Sequence, residues 1–198
     1  MNQELLKALS IKRGHFQYES GHHGDLWLEM DLLFLNPKLL QSSINVLAER
    51  LSDYKPDGIC GALVGGALIA YMLADKLAAE FYYTEPEKTS QPESENLYRV
   101  NYRLPKNLAK QIYGKKIIIV DDVINAGSAV RATYTELNTH GASLIAIGCL
   151  VMLGTSAQDF FLEKQTPIIN VETLSNKLWT PIECPLCHSK IPLGEIPA

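Results

Sequence analysis

Short apolar runs alternate with amphipathic segments along most of the chain, and this alternation constrains the fold more than any other feature. Runs such as "DGICGAL" and "KKIIIV" indicate buried strands, and each precedes a segment with apolar residues at helical spacing. One such helix follows Asn36, where Pro37 marks the helix start. The alternation predicts an α/β fold, with a mainly parallel sheet flanked by helices. Ligands of such sheets bind at the carboxyl ends of the strands.

Two segments depart from the alternation. Near the start, "HFQYES" and "DLWLEM" flank residues 21–24, which predicts a hairpin whose turn exposes His22 and His23. A role for these histidines as metal ligands or substrate contacts is the alternative.

Residues 85–96, "EPEKTSQPESEN", are polar and contain two prolines, which predicts a mobile loop. A loop of this length is usually a functional lid or is disordered.

The length of 198 residues predicts a single domain. A net charge of −4 and a pI near 5.7 argue against a general binder of nucleic acid or of membrane surfaces. No apolar run approaches the ~18 residues of a membrane span, and the first residues contain no apolar signal core. We therefore expect a cytoplasmic protein.

The stretch "IIIVDDVINAG" contains two adjacent aspartates, Asp121 and Asp122, at the end of a predicted buried strand. Folding does not require this pair, because like charges so close repel and need a cation or hydroxyl donors. A helix is predicted to begin near Gly127, and its first N–H groups and dipole would hold a phosphate. A phosphate at one end and vicinal hydroxyls at the other describe a ribose 5-phosphate, with or without Mg²⁺.

"IIIVDDVINAGSAV" resembles the signature with which type I phosphoribosyltransferases bind 5-phosphoribosyl 1-pyrophosphate (PRPP). Within that family, "GHFQYESG" looks like the Phe-x-x-x-Ser-Gly segment of orotate phosphoribosyltransferases. "GALVGGALIAYMLA" resembles their pyrophosphate-binding loop with the helix after it, and "CPLCHSKIPL" resembles the tail of one bacterial branch. The resemblance implies the type I fold as one domain over 1–198, with a small hood from about 1–35 and 173–198.

The resemblance also implies a reaction, in which PRPP and orotate give orotidine 5′-phosphate and pyrophosphate. Asp121, Asp122 and Lys88 would be catalytic, and Arg131 would bind the orotate carboxylate. Mg²⁺ would be held mainly through PRPP, near the two aspartates. The enzyme would be a homodimer with sites shared across the interface. The motifs also imply which residues would bind the phosphate groups of PRPP through their backbone. The 5′-phosphate would bind at Asn125, Ala126, Gly127, Ser128 and Ala129. The pyrophosphate would bind at Leu63, Val64, Gly65 and Gly66.

The chain departs from the family pattern at several positions. Asn125 replaces the usual Ser or Thr of the phosphate loop, and Glu19 stands where some members have a basic residue. The loop of residues 85–96 contains one basic residue, Lys88, while Arg99 and Arg103 follow it. Two alternatives therefore remain open. One is a phosphoribosyltransferase for another base, such as a purine, and the other is a non-catalytic PRPP-binding regulator.

The four cysteines form two groups. Cys60 and Cys149 lie in apolar runs and are expected to be buried. Cys184 and Cys187 precede His188 in a pattern that also occurs where haem is attached, although such attachment needs an export route. Structural zinc on Cys184, Cys187 and His188 would need further ligands. Reduced cysteines that pack the tail are the default expectation.

Overall fold

The computed structural model describes residues 3–87 and 97–195. Its strands are β1 (Ser10–Gln17), β2 (His23–Glu29), β3 (Gly58–Ala62), β4 (Glu80–Pro86), β5 (Tyr102–Arg103), β6 (Lys116–Ile124), β7 (Ser143–Leu153), β8 (Ile168–Leu174) and β9 (Leu178–Trp179). Its helices are α1 (Gln3–Ala8), α2 (Asp31–Phe34), α3 (Pro37–Leu51), α4 (Gly65–Lys76), α5 (Lys106–Ala109), α6 (Ser128–Thr139), α7 (Ser156–Leu162) and α8 (Pro185–His188).

Within the described ranges, six strands form the central sheet, in the order β5-β4-β3-β6-β7-β8. All neighbouring strands in it are parallel except β4 and β5. The predicted α/β fold, with a mainly parallel sheet flanked by helices, is therefore confirmed. None of the helices within the described ranges is long and apolar enough to cross a membrane.

Alternate residues of β6 face two separate cores. Ile118 and Val120 pack with apolar side chains of α3 and α4, whereas Ile117 and Ile119 pack with those of α6 and α7. A strand buried on both faces reads as a continuous apolar run, which is why "KKIIIV" shows no alternation. Cys60 and Cys149 are fully buried in the second core, as expected.

Two strands run further than the sequence predicted. β6 continues beyond the aspartate pair to Ile124, because its last residues pair with β7. β4 includes Glu85 and Pro86, which pair with Arg103 and Tyr102 of β5. The predicted loop of residues 85–96 is therefore wrong for its first two residues. Residues 88–96 lie outside the described part of the chain.

A second sheet has three antiparallel strands in the order β1-β2-β9. It joins the N-terminal hairpin to the C-terminal segment through the pairing of His23 with Trp179 and of Gly24 with Leu178. The predicted hairpin is present, but the expectation about its histidines is wrong. His23 is the first residue of β2, and His22 and His23 are both buried because the tail and Tyr98 pack over them.

Candidate active site

The aspartate pair lies where the central sheet opens. β3 pairs with β6 only as far as Val120, while β7 remains paired with β6 through Ile124. Among the described residues, Asp121 and Asp122 therefore have no strand neighbour on the β3 side. The turn from β3 into α4 occupies that position instead. Each carboxylate accepts one backbone hydrogen bond, Asp121 from the N–H of Asp122 at 3.1 Å and Asp122 from the N–H of Val123 at 2.7 Å.

The turn at residues 63–66 packs directly against the two carboxylates. A Cβ atom at Gly65 would lie 2.1 Å from Oδ2 of Asp122, and one at Gly66 would lie 2.8 Å from Oδ1 of Asp121. A side chain at either position would force the turn or the carboxylate to move. Leu63 and Val64 precede the helix, and Val64 is exposed. Two motifs that are more than 50 residues apart in sequence thus form one surface, with backbone N–H groups beside two carboxylates.

The predicted phosphate-binding residues surround the start of α6. Gly127 is the N-cap residue with φ of +80°, a conformation that favours glycine, and its Cβ would lie 3.0 Å from Cβ of Ala157. Residues 125–129 all line a cleft of about 170 Å³, together with Asp121 and with Glu19 and Ser20 from the hairpin. The 12-residue helix directs its first N–H groups and its positive dipole end into this region.

Asn125 is connected to the C-terminal segment. Its Oδ1 accepts a hydrogen bond of 2.9 Å from Nδ2 of Asn176. Its own Nδ2 is buried and has no hydrogen-bond partner among the described residues. A buried, unsatisfied amide beside an anion-binding helix start is a donor for an anionic ligand. The substitution of Asn for the usual hydroxyl residue therefore preserves a donor at this position.

Arg131 lies one turn into α6, between two aromatic rings. Its guanidinium carbon is 4.2 Å from the ring centroid of Tyr98 and 4.2 Å from that of Phe160. Nη2 donates to the carbonyl of Ser156 at 3.2 Å, while Nε is buried without a hydrogen-bond partner in the described part of the chain. Such stacking fixes the plane of the guanidinium and leaves donors for a planar anion. Arg131 lines a second cleft, which adjoins the first because Ser128 lines both.

Comparison with known families decides the classification of this site. The model of the phosphoribosyl transferase domain matches residues 31–179, which is three quarters of the chain. The chain belongs to the phosphoribosyltransferase family. The matched region contains β3 with its glycine turn, the aspartate pair and the start of α6.

Curated relatives of this phosphoribosyltransferase align over almost the whole chain. An orotate phosphoribosyltransferase of Caldanaerobacter subterraneus is 27% identical over 96% of this chain and 92% of its own length. One from Thermotoga maritima is 26% identical over 97% of this chain and 95% of its own length. At this coverage both alignments include the hairpin and most of residues 180–198, which lie outside the family match.

Solved structures share the fold at lower sequence identity. The orotate phosphoribosyltransferase of Aeropyrum pernix has a TM-score of 0.67 and 21% identity, and covers 88% of this chain and 94% of its own. The adenine phosphoribosyltransferase of Thermoanaerobacter pseudethanolicus has a TM-score of 0.68 and 19% identity, and covers 88% and 100%. Enzymes named for a pyrimidine and for a purine thus match the backbone equally well.

In this phosphoribosyltransferase Asp121 lies close to two other carboxylates, those of Asp122 and Glu19, and it lines the cleft together with Glu19. Burial and the charge of Asp122 raise the pKa of Asp121, to which Glu19 also contributes. Burial raises the pKa of Asp122 as well. Glu19 accepts a hydrogen bond of 2.9 Å from the hydroxyl of Tyr102. Within residues 3–87 and 97–195, neither aspartate pairs with a lysine or arginine. Such a group of unpaired carboxylates suits a divalent cation or a substrate with positive character.

The raised pKa values predict that the ligand-free protein loses stability as the pH rises. In the native state Asp122 has a pKa of about 6 against an ordinary 3.8, so between these values the folded protein holds a proton that the unfolded chain has lost. Native-state stability must then fall with rising pH across this window. The protein with Asp121→Asn and Asp122→Asn should lack this loss. We expect the Tm of this variant to exceed that of the wild type by an amount that increases from pH 4 to pH 7. Each kcal/mol of added stability corresponds to about 2–4 °C in Tm. An advantage that is constant with pH would contradict the assignment.

Other candidate residues lie outside the first cleft or beyond the described residues, although Arg103 lines the second cleft together with Arg131. Lys88 falls within 88–96, which the structure does not describe. Arg103 is bound by Glu136 at 2.9 Å and by Glu87 at 3.3 Å, which makes it a link between β5 and α6. His188 is exposed.

From the sequence, Glu19 was noted only as a departure from the family pattern, and Tyr102 and Asn176 were not singled out. The position of Glu19 just before Ser20 and Gly21 was the one available signal.

Proposed function

We propose that the protein transfers the 5-phosphoribosyl group from PRPP to orotate, giving orotidine 5′-phosphate and pyrophosphate. The observation that carries this proposal is the joint surface of the Asp121–Asp122 pair, the glycine turn at 63–66 and the start of α6. These elements offer, side by side, groups for a pyrophosphate, for ribose hydroxyls and for a 5′-phosphate. The names of the curated relatives support orotate as the base. We place the reaction in the cytoplasm.

Each part of PRPP is assigned to one element. The 5′-phosphate binds the backbone N–H groups of residues 125–129 and the free Nδ2 of Asn125. The ribose hydroxyls donate to the carboxylates of Asp121 and Asp122. The pyrophosphate binds the backbone N–H groups of residues 64–66, because the N–H of Leu63 already donates to the carbonyl of Thr84 at 2.9 Å. The unpaired carboxylates also fit Mg²⁺, which would be held mainly by PRPP oxygens near them and would neutralise charge on the leaving pyrophosphate.

Catalysis in this arrangement is electrostatic. As the bond to pyrophosphate breaks, the ribose ring gains positive, oxocarbenium-like character. Asp121 and Asp122 lie at fixed positions beside the ring and stabilise that charge, because the backbone hydrogen bonds to each carboxylate hold it in place. No covalent intermediate is required. The nucleophile is a ring nitrogen of the base, which must enter from the side of Arg131.

Gly65→Ala tests the contact between the turn and the aspartates. Its new methyl group would lie 2.1 Å from Oδ2 of Asp122, so the turn or the carboxylate must move. A displacement of about 1 Å at reacting groups costs up to roughly a hundredfold in rate. We expect kcat/KM to fall by about that factor, with an unchanged far-ultraviolet circular dichroism spectrum. Near-normal kinetics would show that this contact has no role in turnover.

Arg131 favours orotate over an uncharged base. A guanidinium held between Tyr98 and Phe160, with Nε unpaired, can donate to a carboxylate in the plane of a flat ring. Purines carry no such group. Initial rates with PRPP, Mg²⁺ and a panel of orotate, uracil, adenine, guanine and hypoxanthine test this choice. We expect orotate to be used at least a hundredfold better than the others; a preference for adenine would reject orotate as the base.

Lys88 and the shared site of a homodimer are tested together by mixing two inactive proteins. Lys88→Ala should lower kcat with little change in PRPP binding, because a contact made in the transition state affects kcat more than affinity. If the lysine serves the partner's site, mixing this protein with one carrying Asp121→Asn should restore activity through heterodimers with one intact site.

The mixing experiment needs an independent measure of subunit exchange, such as energy transfer between labelled subunits. Absence of recovery despite exchange would mean that Lys88 acts within its own chain. Full activity of the Lys88→Ala protein would remove this lysine from the mechanism.

A further inference from the structure

We propose that His15, His23, Cys184 and Cys187 bind one structural zinc ion, which fastens the C-terminal tail to the N-terminal hairpin. One ligand atom from each residue lies within 4.8 Å of all the others. The set has two nitrogens and two sulfurs, the composition of tetrahedral zinc sites. The proposal is independent of which base the enzyme uses.

The distances between the ligand atoms fit a tetrahedron around zinc. His15 Nε2 lies 2.9 Å from His23 Nδ1, 3.4 Å from Cys184 Sγ and 3.6 Å from Cys187 Sγ, and Cys187 Sγ lies 3.2 Å from His23 Nδ1. With Zn–N near 2.0 Å and Zn–S near 2.3 Å, the edges of such a tetrahedron measure about 3.3–3.8 Å. Binding therefore requires shifts of a few tenths of an ångström at these four contacts, while the other two pairs of ligand atoms lie within 4.8 Å and would have to approach by about 1 Å at most.

Hydrogen bonding of His15 prepares its other nitrogen for a metal. Nδ1 lies 2.7 Å from the carbonyl of Ile191, which can only accept, so Nδ1 carries the proton. In the neutral ring Nε2 then has a single free lone pair. Three possible donors lie around it, the Nδ1 of His23 and the thiols of Cys184 and Cys187. One lone pair accepts one proton, whereas a metal ion satisfies all four groups together. Metal-binding histidines commonly donate their second N–H to a backbone carbonyl in this way.

Local structure brings the two histidines to one side of the hairpin. Arg13 pairs with Leu26 and Phe16 pairs with Gly24, so β1 contains one residue more than β2 between these pairs. Gly14 and His15 therefore lie opposite a single residue of β2 and form a β-bulge. A bulge redirects the side chains around it, which lets His15 face the same way as His23.

The two cysteines lie on one turn of the tail. Cys184 precedes α8, and Cys187 lies within it, three residues later. This Cys-x-x-Cys spacing presents two thiolates to one metal. The tail also contacts β1 directly, since the N–H of Gly194 donates to the carbonyl of His15 at 2.6 Å. A metal ion would close a loop of more than 150 residues between the hairpin and the tail.

Burial and charge favour zinc over free thiols. His15, His23 and Cys184 are 2%, 5% and 0% exposed. Two thiolates and two neutral imidazoles around Zn²⁺ have no net charge, so the complex can be buried at little electrostatic cost. Four protein ligands complete the coordination shell, which is typical of a structural site. Ser20 and His22, adjacent in sequence to this site, belong to the cleft and its surroundings, so the ion would also hold part of the active site in place.

The first test measures the metal content of the purified protein by inductively coupled plasma mass spectrometry. We expect about one zinc per chain in the wild type, and at least tenfold less in Cys187→Ser and in His15→Ala. His188→Ala is the matched control, because His188 is exposed on the same turn and lies outside the cluster. It should retain full zinc. Equal zinc in Cys187→Ser and the wild type would overturn the proposal, as would loss of zinc in His188→Ala alone.

A second test uses only the wild-type protein and so does not depend on the folding of the variants. Zinc is removed with a chelator, and Co²⁺ is added to the metal-free protein. A tetrahedral site with two thiolates should give intense visible d–d bands and a thiolate charge-transfer band in the near ultraviolet. Returning zinc should abolish both bands and raise Tm by about 5 °C or more. Failure to bind Co²⁺ or zinc, or a weak octahedral spectrum without the thiolate band, would overturn the assignment.

Discussion

Replacing Asp121 and Asp122 together by asparagine should lower kcat/KM by at least about a thousandfold while the fold remains intact. Removing a single preorganised electrostatic contact typically costs a hundredfold to a thousandfold, and here two charges beside the developing cation are lost. The variant should also be more stable than the wild type near neutral pH, because both carboxylates are held at raised pKa without a cationic partner in the described residues. Steady-state kinetics and thermal unfolding measure the two effects.

A matched control separates this effect from a change of net charge. Asp53→Asn with Asp75→Asn also removes two negative charges, but both residues are exposed and lie away from the cleft. This protein should keep near-normal kinetics. Near-normal turnover of the Asp121 and Asp122 variant would show that the pair does not act on the ribose. A loss of activity together with a loss of Tm would indicate a structural role instead.

Arg131→Ala should raise the KM for orotate by tenfold to more than a hundredfold and leave the KM for PRPP nearly unchanged. Loss of a charged hydrogen bond costs ~1.5–3 kcal/mol, which converts to this range of affinity. The effect is expected to be larger for orotate than for PRPP because Arg131 lies outside the proposed phosphate site. It lies one turn beyond that site, between Tyr98 and Phe160. Initial rates with each substrate varied in turn give both constants.

Two further variants sharpen this prediction. Arg131→Lys keeps the charge but loses the planar, bidentate donor, so its KM for orotate should lie between those of the wild type and the alanine variant. Arg13→Ala removes an exposed arginine of β1 and should change neither constant by more than about twofold. Equal increases for both substrates in Arg131→Ala would point to a defect in folding instead of in orotate binding.

The sequence predicted the central sheet well because its signals are local. A continuous apolar run followed by acidic residues and a glycine-started helix specifies a strand, a turn and a helix in order. Contacts such as those of Gly65 with Asp122 join two such units, and they follow from the parallel arrangement together with the family resemblance. The pairing of Glu85 with Arg103 was missed because polar residues with a proline carry the signal of a loop.

Features of the hairpin and tail were not predictable from local patterns. His15 and His23 meet Cys184 and Cys187 only because a bulge in β1 and the folding back of the tail coincide in space. The sequence suggested His188 as the third ligand because of its adjacency, yet that side chain faces solvent. Asn176 likewise reaches Asn125 across about 50 residues of chain. Such contacts depend on tertiary packing, which hydrophobic periodicity does not encode.

The most direct test of the proposed reaction follows orotate consumption and pyrophosphate release in one reaction mixture. With PRPP, Mg²⁺ and orotate, we expect the two to proceed at equal rates, with orotidine 5′-phosphate formed in the same amount. Neither should proceed at a comparable rate when orotate or PRPP is omitted. Binding of PRPP without consumption of orotate would contradict the account and favour a non-catalytic PRPP-binding protein. Pyrophosphate release that does not depend on orotate would contradict it equally.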